Sequence, residues 1–343
     1  MLKEKNLNRF RFGFYLSLFA SILAFLVIIL GAYTRLTDAG LGCPDWPGCY
    51  GHWIVTKANV LQNPEIDAGK AWTEMLHRYM AGLLGLTIFG LVILAFRNRR
   101  LPQQPLALPI ALGVLVIFQA LLGMWTVTLK LFPLVVIAHL LGGMTTLALL
   151  WWLTLKLKSS QGVKELNYLA DANNDDKKLR LWAILGLIIL SIQLLLGGWT
   201  SASYSALACT DFPSCQAHLN FEWNISQALD FSTKGLTGMM NEPEDYKARM
   251  TIHMLHRFGA VLTSFMIGGL ALWAFVRSKT FSLRTLSVIM ASLLILQIGL
   301  GISNILALLP LSIAVAHNAV AALLLLALIS FNYYLWLPQK KYA

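Results

Sequence analysis

Eight apolar stretches, each long enough to cross a hydrocarbon core of about 30 Å, run through this chain of 343 residues and leave it few ways to fold. They lie at roughly 14–32, 75–96, 106–128, 133–156, 180–200, 252–275, 283–306 and 311–336. Lipid offers backbone N–H and C=O groups no partner, so spans of this length become α-helices. With 57% hydrophobic and only 13% charged residues, the chain is not built for water. The first stretch has a basic flank like that of a signal peptide. It lacks an A-x-A-like cleavage site, however, and the pattern at its end returns later, so it counts as structure.

A net charge of +11 would suggest a nucleic-acid partner in a soluble protein. Here the cations sort by loop. Of 27 Lys and Arg, eighteen lie at 3–11, 97–100, 156–180, 277–284 and 340–341; seven lie in the alternate loops, and the remaining two are Arg78 and Arg257. By the positive-inside rule both termini are cytoplasmic, in a multi-pass protein of the inner (cytoplasmic) membrane. Lipid is then the expected surrounding, and no nucleic-acid partner is expected.

The chain repeats itself. Thr34 to Cys49 reads TRLTDAGLGCPDWPGC, and Thr200 to Cys215 reads TSASYSALACTDFPSC, an offset of 166 residues. EMLHRYMAG from Glu74 matches HMLHRFGAV from His253 at an offset of 179, and His139 matches His317 at 178. The expected fold is therefore an all-α integral membrane protein of eight transmembrane helices, arranged as two duplicated four-helix bundles. Residues 1–158 form one half, 180–343 the other, and the polar stretch 159–179 links them. Four spans return the chain to its starting side, so the halves share one orientation. A glutamine also stands four residues before a glycine at Gln119/Gly123, Gln193/Gly197 and Gln297/Gly301. One helical turn apart, each pair shares a face, suited to helix packing or to lining a pocket.

Four of the seven histidines, His77, His139, His256 and His317, sit in apolar surroundings six or seven residues into the even-numbered spans. At about 1.5 Å per residue they lie level, roughly 9–10 Å deep in the outer half of the membrane. An ionisable side chain in hydrocarbon needs an interior position and a partner, so each is a functional candidate. Two imidazoles from separate helices can hold a haem iron from opposite faces, whereas zinc usually asks for more protein ligands. His52, His218 and His253, in or near the outer loops, suit ordinary polar roles. Arg78 and Arg257 follow two of the histidines and suit either snorkelling to the interface or contact with a haem propionate.

All four cysteines fall in the outer loops, as Cys43/Cys49 and Cys209/Cys215. An oxidising compartment allows two disulfides, with metal binding or free thiols as alternatives. A labile pair could also exchange electrons with a partner dithiol.

Taken together, GAYTRLTDAGLGCPDWPGCYG, EMLHRYMAG, the AHLLGG around His139, HMLHRFGA around His256 and AHNAV around His317 resemble the haem A synthase family along nearly the whole chain. The resemblance implies an oxidoreductase that converts the C8 methyl group of haem O to a formyl group, giving haem A for cytochrome c oxidase. It implies a haem b (iron) cofactor on His256 and His317, and the substrate haem O on His77 and His139. The family's acidic residue maps onto Glu74. Haem O synthase and an electron acceptor are the expected partners, and a homo-oligomer is allowed.

The residues themselves carry a matching asymmetry. Glu74 lies three residues before His77, hence on its face, while the place before His256 holds His253. A buried carboxylate there could take protons during the oxidation; alternatively it is a surface ion-pair partner of Arg78. A bis-histidine cytochrome b in electron transfer is the main rival reading and explains the missing second glutamate poorly. A transporter would leave the paired histidines unexplained.

Overall fold

A computed structural model describes residues 2–56, 59, 66–101, 103–160, 174–215, 222–230, 243–278 and 280–337. It is all-α, with eight helices long and apolar enough to cross a membrane. These are α1 (Leu2–Leu36), α2 (Ala68–Arg97), α3 (Ala107–Thr128), α4 (Pro133–Ser159), α5 (Asn174–Ala202), α6 (Pro243–Arg277), α7 (Phe281–Leu306) and α8 (Leu311–Leu335). A single helical turn, Ile225–Ala228, lies between α5 and α6.

The eight expected spans are all present, but α1, α2, α5 and α6 begin before their apolar stretches do. Hydropathy marks only the lipid-facing length, while a helix continues until its backbone finds another partner. At α2 the start is set by Asp67, whose side chain accepts from the amides of Gly69 and Lys70 at 3.0 and 3.1 Å. Proline supplies the first residue of α4 and of α6, where its missing N–H costs nothing. Most of the 159–179 stretch lies outside the described residues, although α5 already begins within it.

The helices pack as two closed sets of four. In one, α1 contacts α2, α2 contacts α3, α3 contacts α4, and α4 returns to α1; α5, α6, α7 and α8 close in the same order. The sets meet where α1 touches α8 and where α4 touches both α5 and α8. One continuous apolar core results, running through Ala20 and Leu23 of α1, Leu147 and Leu150 of α4, Leu270 of α6, Met290 of α7 and Phe331 of α8. The outside is apolar too, with Phe265, Leu86 and Ile295 among its most exposed side chains, as a lipid-facing surface requires.

Because lipid is as apolar as leucine, polar contacts and small residues must help hold such helices together. On α1 and α4, Thr154 donates to Ser17 Oγ at 3.1 Å and lies 3.3 Å from Ser21 Oγ. Between the sets, Trp151 Nε1 donates to Ser330 Oγ at 2.8 Å and Tyr333 to the Leu155 carbonyl at 3.2 Å; within the second set, Asn332 donates to the Ala183 carbonyl at 3.1 Å. At the opposite end, Arg35 donates to the Ser201 carbonyl at 2.9 Å and lies over the Tyr204 ring. Thr154→Val, which keeps shape and removes the hydroxyl, should cost about 0.6–1.7 kcal/mol, the usual range for an interhelical hydrogen bond in lipid. Thermal melting in detergent measures this, and no loss at all would mean that the buried hydroxyl contributes nothing.

Candidate functional site

Each of the four intramembrane histidines lies against a glycine of the preceding helix. A Cβ at Gly31 would stand 2.9 Å from His77 Cε1; at Gly123, 3.5 Å from His139; at Gly197, 3.1 Å from His256; and at Gly301, 3.2 Å from His317. The bare backbone lets the imidazole lie directly on the helix. The carbonyl one turn earlier becomes the ring's polar neighbour: Val27 for His77, Gln119 for His139 and Gln297 for His317. Three of these glycines were visible in the sequence as the glutamine–glycine pairs. The fourth, Gly31, was missed because Val27 stands in the glutamine's place.

The rings of His77 and His139 meet edge to face, with centroids 6.5 Å apart and planes at 81°. A metal held between two imidazoles by bonds of about 2.0 Å sets their centroids about 6 Å apart. His256 and His317 are likewise close enough to interact electrostatically. Nδ1 of His77, His139 and His317 is buried without a hydrogen-bond partner, a costly state that a ligand would relieve. Among the described residues no group of three or more His, Cys, Asp or Glu converges as a bare metal ion would require. A haem iron takes four ligands from its porphyrin and needs only two from protein, so these imidazole pairs fit haem.

Above the pairs, the loops fold back on themselves through the disulfides Cys43–Cys49 and Cys209–Cys215. Arginines hold these loops down. Arg78 donates to the carbonyls of Asp45 at 2.9 Å and Gly48 at 2.5 Å, and Arg257 to those of Asp211 at 2.8 Å, Ser214 at 2.9 Å and Cys209 at 2.6 Å. A propionate contact would therefore have to share guanidiniums that the loops already engage. Glu74 pairs with Arg78, as the simpler reading expected, but not at the surface: its side chain is only 5% exposed. Its other oxygen accepts from the Cys43 amide at 2.9 Å. His253 takes the corresponding buried place in the other set. His52 meets Asn59 at 3.0 Å in the outer loop, and His218 lies outside the described residues.

Sequence reading also missed Gly42. A Cβ there would lie 2.6 Å from the Lys70 carbonyl carbon and 2.8 Å from the Ala71 amide, so the first disulfide loop rests on the bare start of α2.

A family model described as Cytochrome oxidase assembly protein (COX15-CtaA) matches residues 14–329. The chain belongs to this family. It is 43% identical over 327 residues to the Heme A synthase of Shewanella oneidensis, covering 92% of this chain and 94% of that protein. Proteins of the same name from Nitrosomonas eutropha and Rhizorhabdus wittichii are 28% and 24% identical, covering 93% and 91% of this chain and 90% of each relative. The region matched by the cytochrome oxidase assembly family contains all four histidines, Glu74 and both cysteine pairs.

Non-reducing peptide mapping should recover the Cys43–Cys49 and Cys209–Cys215 links, and four free thiols in protein isolated without reductant would contradict them. Gly42→Ala should cost about 1–3 kcal/mol through the backbone shift it forces. An unchanged melting temperature for that variant would refute the close approach of loop and helix.

Proposed function

We propose that this chain is a haem A synthase, an enzyme that oxidises the C8 methyl group of haem O to a formyl group and so supplies haem A to cytochrome c oxidase. The observation that carries the reading is the close pair of buried imidazoles at His77 and His139, in a chain so similar to a named Heme A synthase. His256 and His317 would hold haem b, which supplies one-electron redox chemistry when bound. His77 and His139 would hold the substrate. A cytochrome b that only passes electrons would need no carboxylate in one half, whereas Glu74 has no counterpart beside His256.

We read the two helix sets as the products of a duplication, residues 1–158 and 180–343. The support is positional as well as sequential: several contacts between the sets join residues that are each other's counterparts. Arg35 bonds Ser201 and Asp38 meets Tyr204, 166 residues apart in each case, and Leu155 bonds Tyr333, 178 apart. A residue can touch its own counterpart only near the axis relating them, so these contacts suit a pseudo-twofold axis along the membrane normal. The charge distribution supports cytoplasmic termini in the inner membrane, with the disulfide loops on the oxidising side.

Turning a methyl into a formyl group, with water as the source of the oxygen, releases protons and electrons. Glu74 is the proton-accepting group in this reading: Arg78 and the Cys43 amide stabilise its carboxylate, and it lies on the helix face of His77. An electron acceptor would take the electrons, and haem O synthase is the expected source of substrate. A homo-oligomer is compatible with this scheme.

Extraction and mass analysis of the haems from protein expressed with a haem O supply tests the reading directly. Haem b with haem O and haem A is expected; haem b alone, with no conversion, would favour the cytochrome. His256→Ala or His317→Ala should remove most of the low-spin haem b spectrum. Glu74→Gln retains an acceptor for the Cys43 amide but loses the carboxylate, and should keep haem b while accumulating haem O. Normal haem A yield from that variant would remove Glu74 from the chemistry.

A further inference from the structure

The outer end of α6 carries a stripe of polar nitrogens that the fold uses only in part. Arg249, His253 and Arg257 follow one another at intervals of four residues and so share a face of the helix. Arg249 and Arg257 each have a buried Nε without a hydrogen bond, although the loop carbonyls of Asp211, Ser214 and Cys209 take the other two nitrogens of Arg257. His253, between them, is only 4% exposed. The Ser205 carbonyl is the polar neighbour of its ring, and one carbonyl serves only one of the two ring nitrogens. Buried nitrogens left in this state cost free energy until a ligand pairs with them.

The equivalent stripe of the amino-terminal half, 179 residues earlier, is Lys70, Glu74 and Arg78. Lys70 is exposed there, and Glu74 closes on Arg78 and the Cys43 amide. Charge is therefore balanced between Glu74 and Arg78. The α6 stripe holds two guanidiniums and no carboxylate, and Asp211, in the loop, is the acidic group that acts on Arg257 electrostatically.

We propose that His253, flanked by Arg249 and Arg257, binds a propionate of the haem held by His256 and His317. The proposal rests on the haem assignments given above and adds where the carboxylates of that haem go. Charged propionates cannot lie unpaired in hydrocarbon, so they turn to the nearer water, which for ligands in the outer half of the membrane is the outer side. His253 stands three residues outward of His256, about 4.5 Å along the helix, and the two rings are close enough to interact electrostatically. A carboxyl group and an imidazole nitrogen bond through one shared proton, whichever of them carries it, and the guanidiniums add fixed positive charge on either side. Glu74, already paired, offers the haem of the other half no such contact.

Resonance Raman spectra of the purified full-length protein test the contact without any substitution. The propionate bending band of haem b should lie where hydrogen-bonded propionates scatter, and a band at the position of free propionates overturns the proposal. His253→Leu should move that band to lower frequency, and haem b should pass to excess apomyoglobin about 10–100-fold faster, the effect of losing a hydrogen bond to a charged group. His253→Gln keeps a donor and should restore much of the retention. His253→Glu copies the amino-terminal half; it should speed the transfer further and lower the haem b midpoint potential, because a carboxylate beside the haem favours ferric iron. A wild-type band, transfer rate and potential in the Leu and Glu variants overturn the proposal. If neither folds, the wild-type band and the transfer rate of Arg249→Gln decide, and an unchanged rate there overturns it. His256→Ala separates the two levels. A full haem b spectrum in that variant overturns the haem assignment itself; loss of the spectrum there, with wild-type behaviour in the His253 variants, overturns the propionate contact alone.

Discussion

An imidazole inside hydrocarbon must have a polar partner, and the arrangement of the helices follows from satisfying four of them. Each ring is brought against a helix backbone by a glycine, where a carbonyl or a glutamine amide can meet it. That contact fixes which helix neighbours which: α1 with α2, α3 with α4, α5 with α6, α7 with α8. The rings meet the glycines through their Cε1 edge, so the bare backbone also limits how each ring can turn. Any side chain at Gly31 would press on His77, so the small residue serves ligand geometry there, beyond close packing alone.

The loops above the histidines close the sites from the disulfide side. Each is folded by its own disulfide and tied by an arginine that follows a histidine directly in sequence. Successive residues on a helix point about 100° apart, so one helix turn delivers a ligand inward and a loop anchor outward. The anchoring differs between the halves at one point. Arg257 reaches the Cys209 carbonyl, whereas Arg78 turns that arm to Glu74, which in turn receives the Cys43 amide. A carboxylate placed there is buried yet has a cation and an amide as partners, on the helix face of His77.

The number of spans, their order and the paired histidines could all be read from the sequence, because lipid imposes a length and an apolar composition on each helix. The starts of α1, α2, α5 and α6 could not. Asp67 caps α2 and polar residues lead into α6, signals that hydropathy does not register. The glutamine–glycine pattern was legible as a helix face but ambiguous between packing and pocket, since a sequence does not say what lies opposite. The rings of His256 and His317 lie opposite two of the three glutamines. Gly42 and the loop-binding role of the arginines were invisible for the same reason: their partners are backbone atoms, which every residue has.

The junction between the halves bears on how two haem sites could work together. α4 carries His139 and α8 carries His317, and these same helices are joined further along by Trp151 with Ser330 and by Tyr333 with the Leu155 carbonyl. Trp151 lies 12 residues beyond His139, about 18 Å along a helix at 1.5 Å per residue. Side chains packed at native density do not slide easily, so helices pinned there and packed through a shared apolar core hold their histidines at a set separation. One ligand of each proposed haem thus belongs to a rigid central pair, while the other, on α2 or α6, stands on a peripheral helix. Among the described residues, the main contacts between the halves are made by α1, α4, α5 and α8, so the central pair carries the junction.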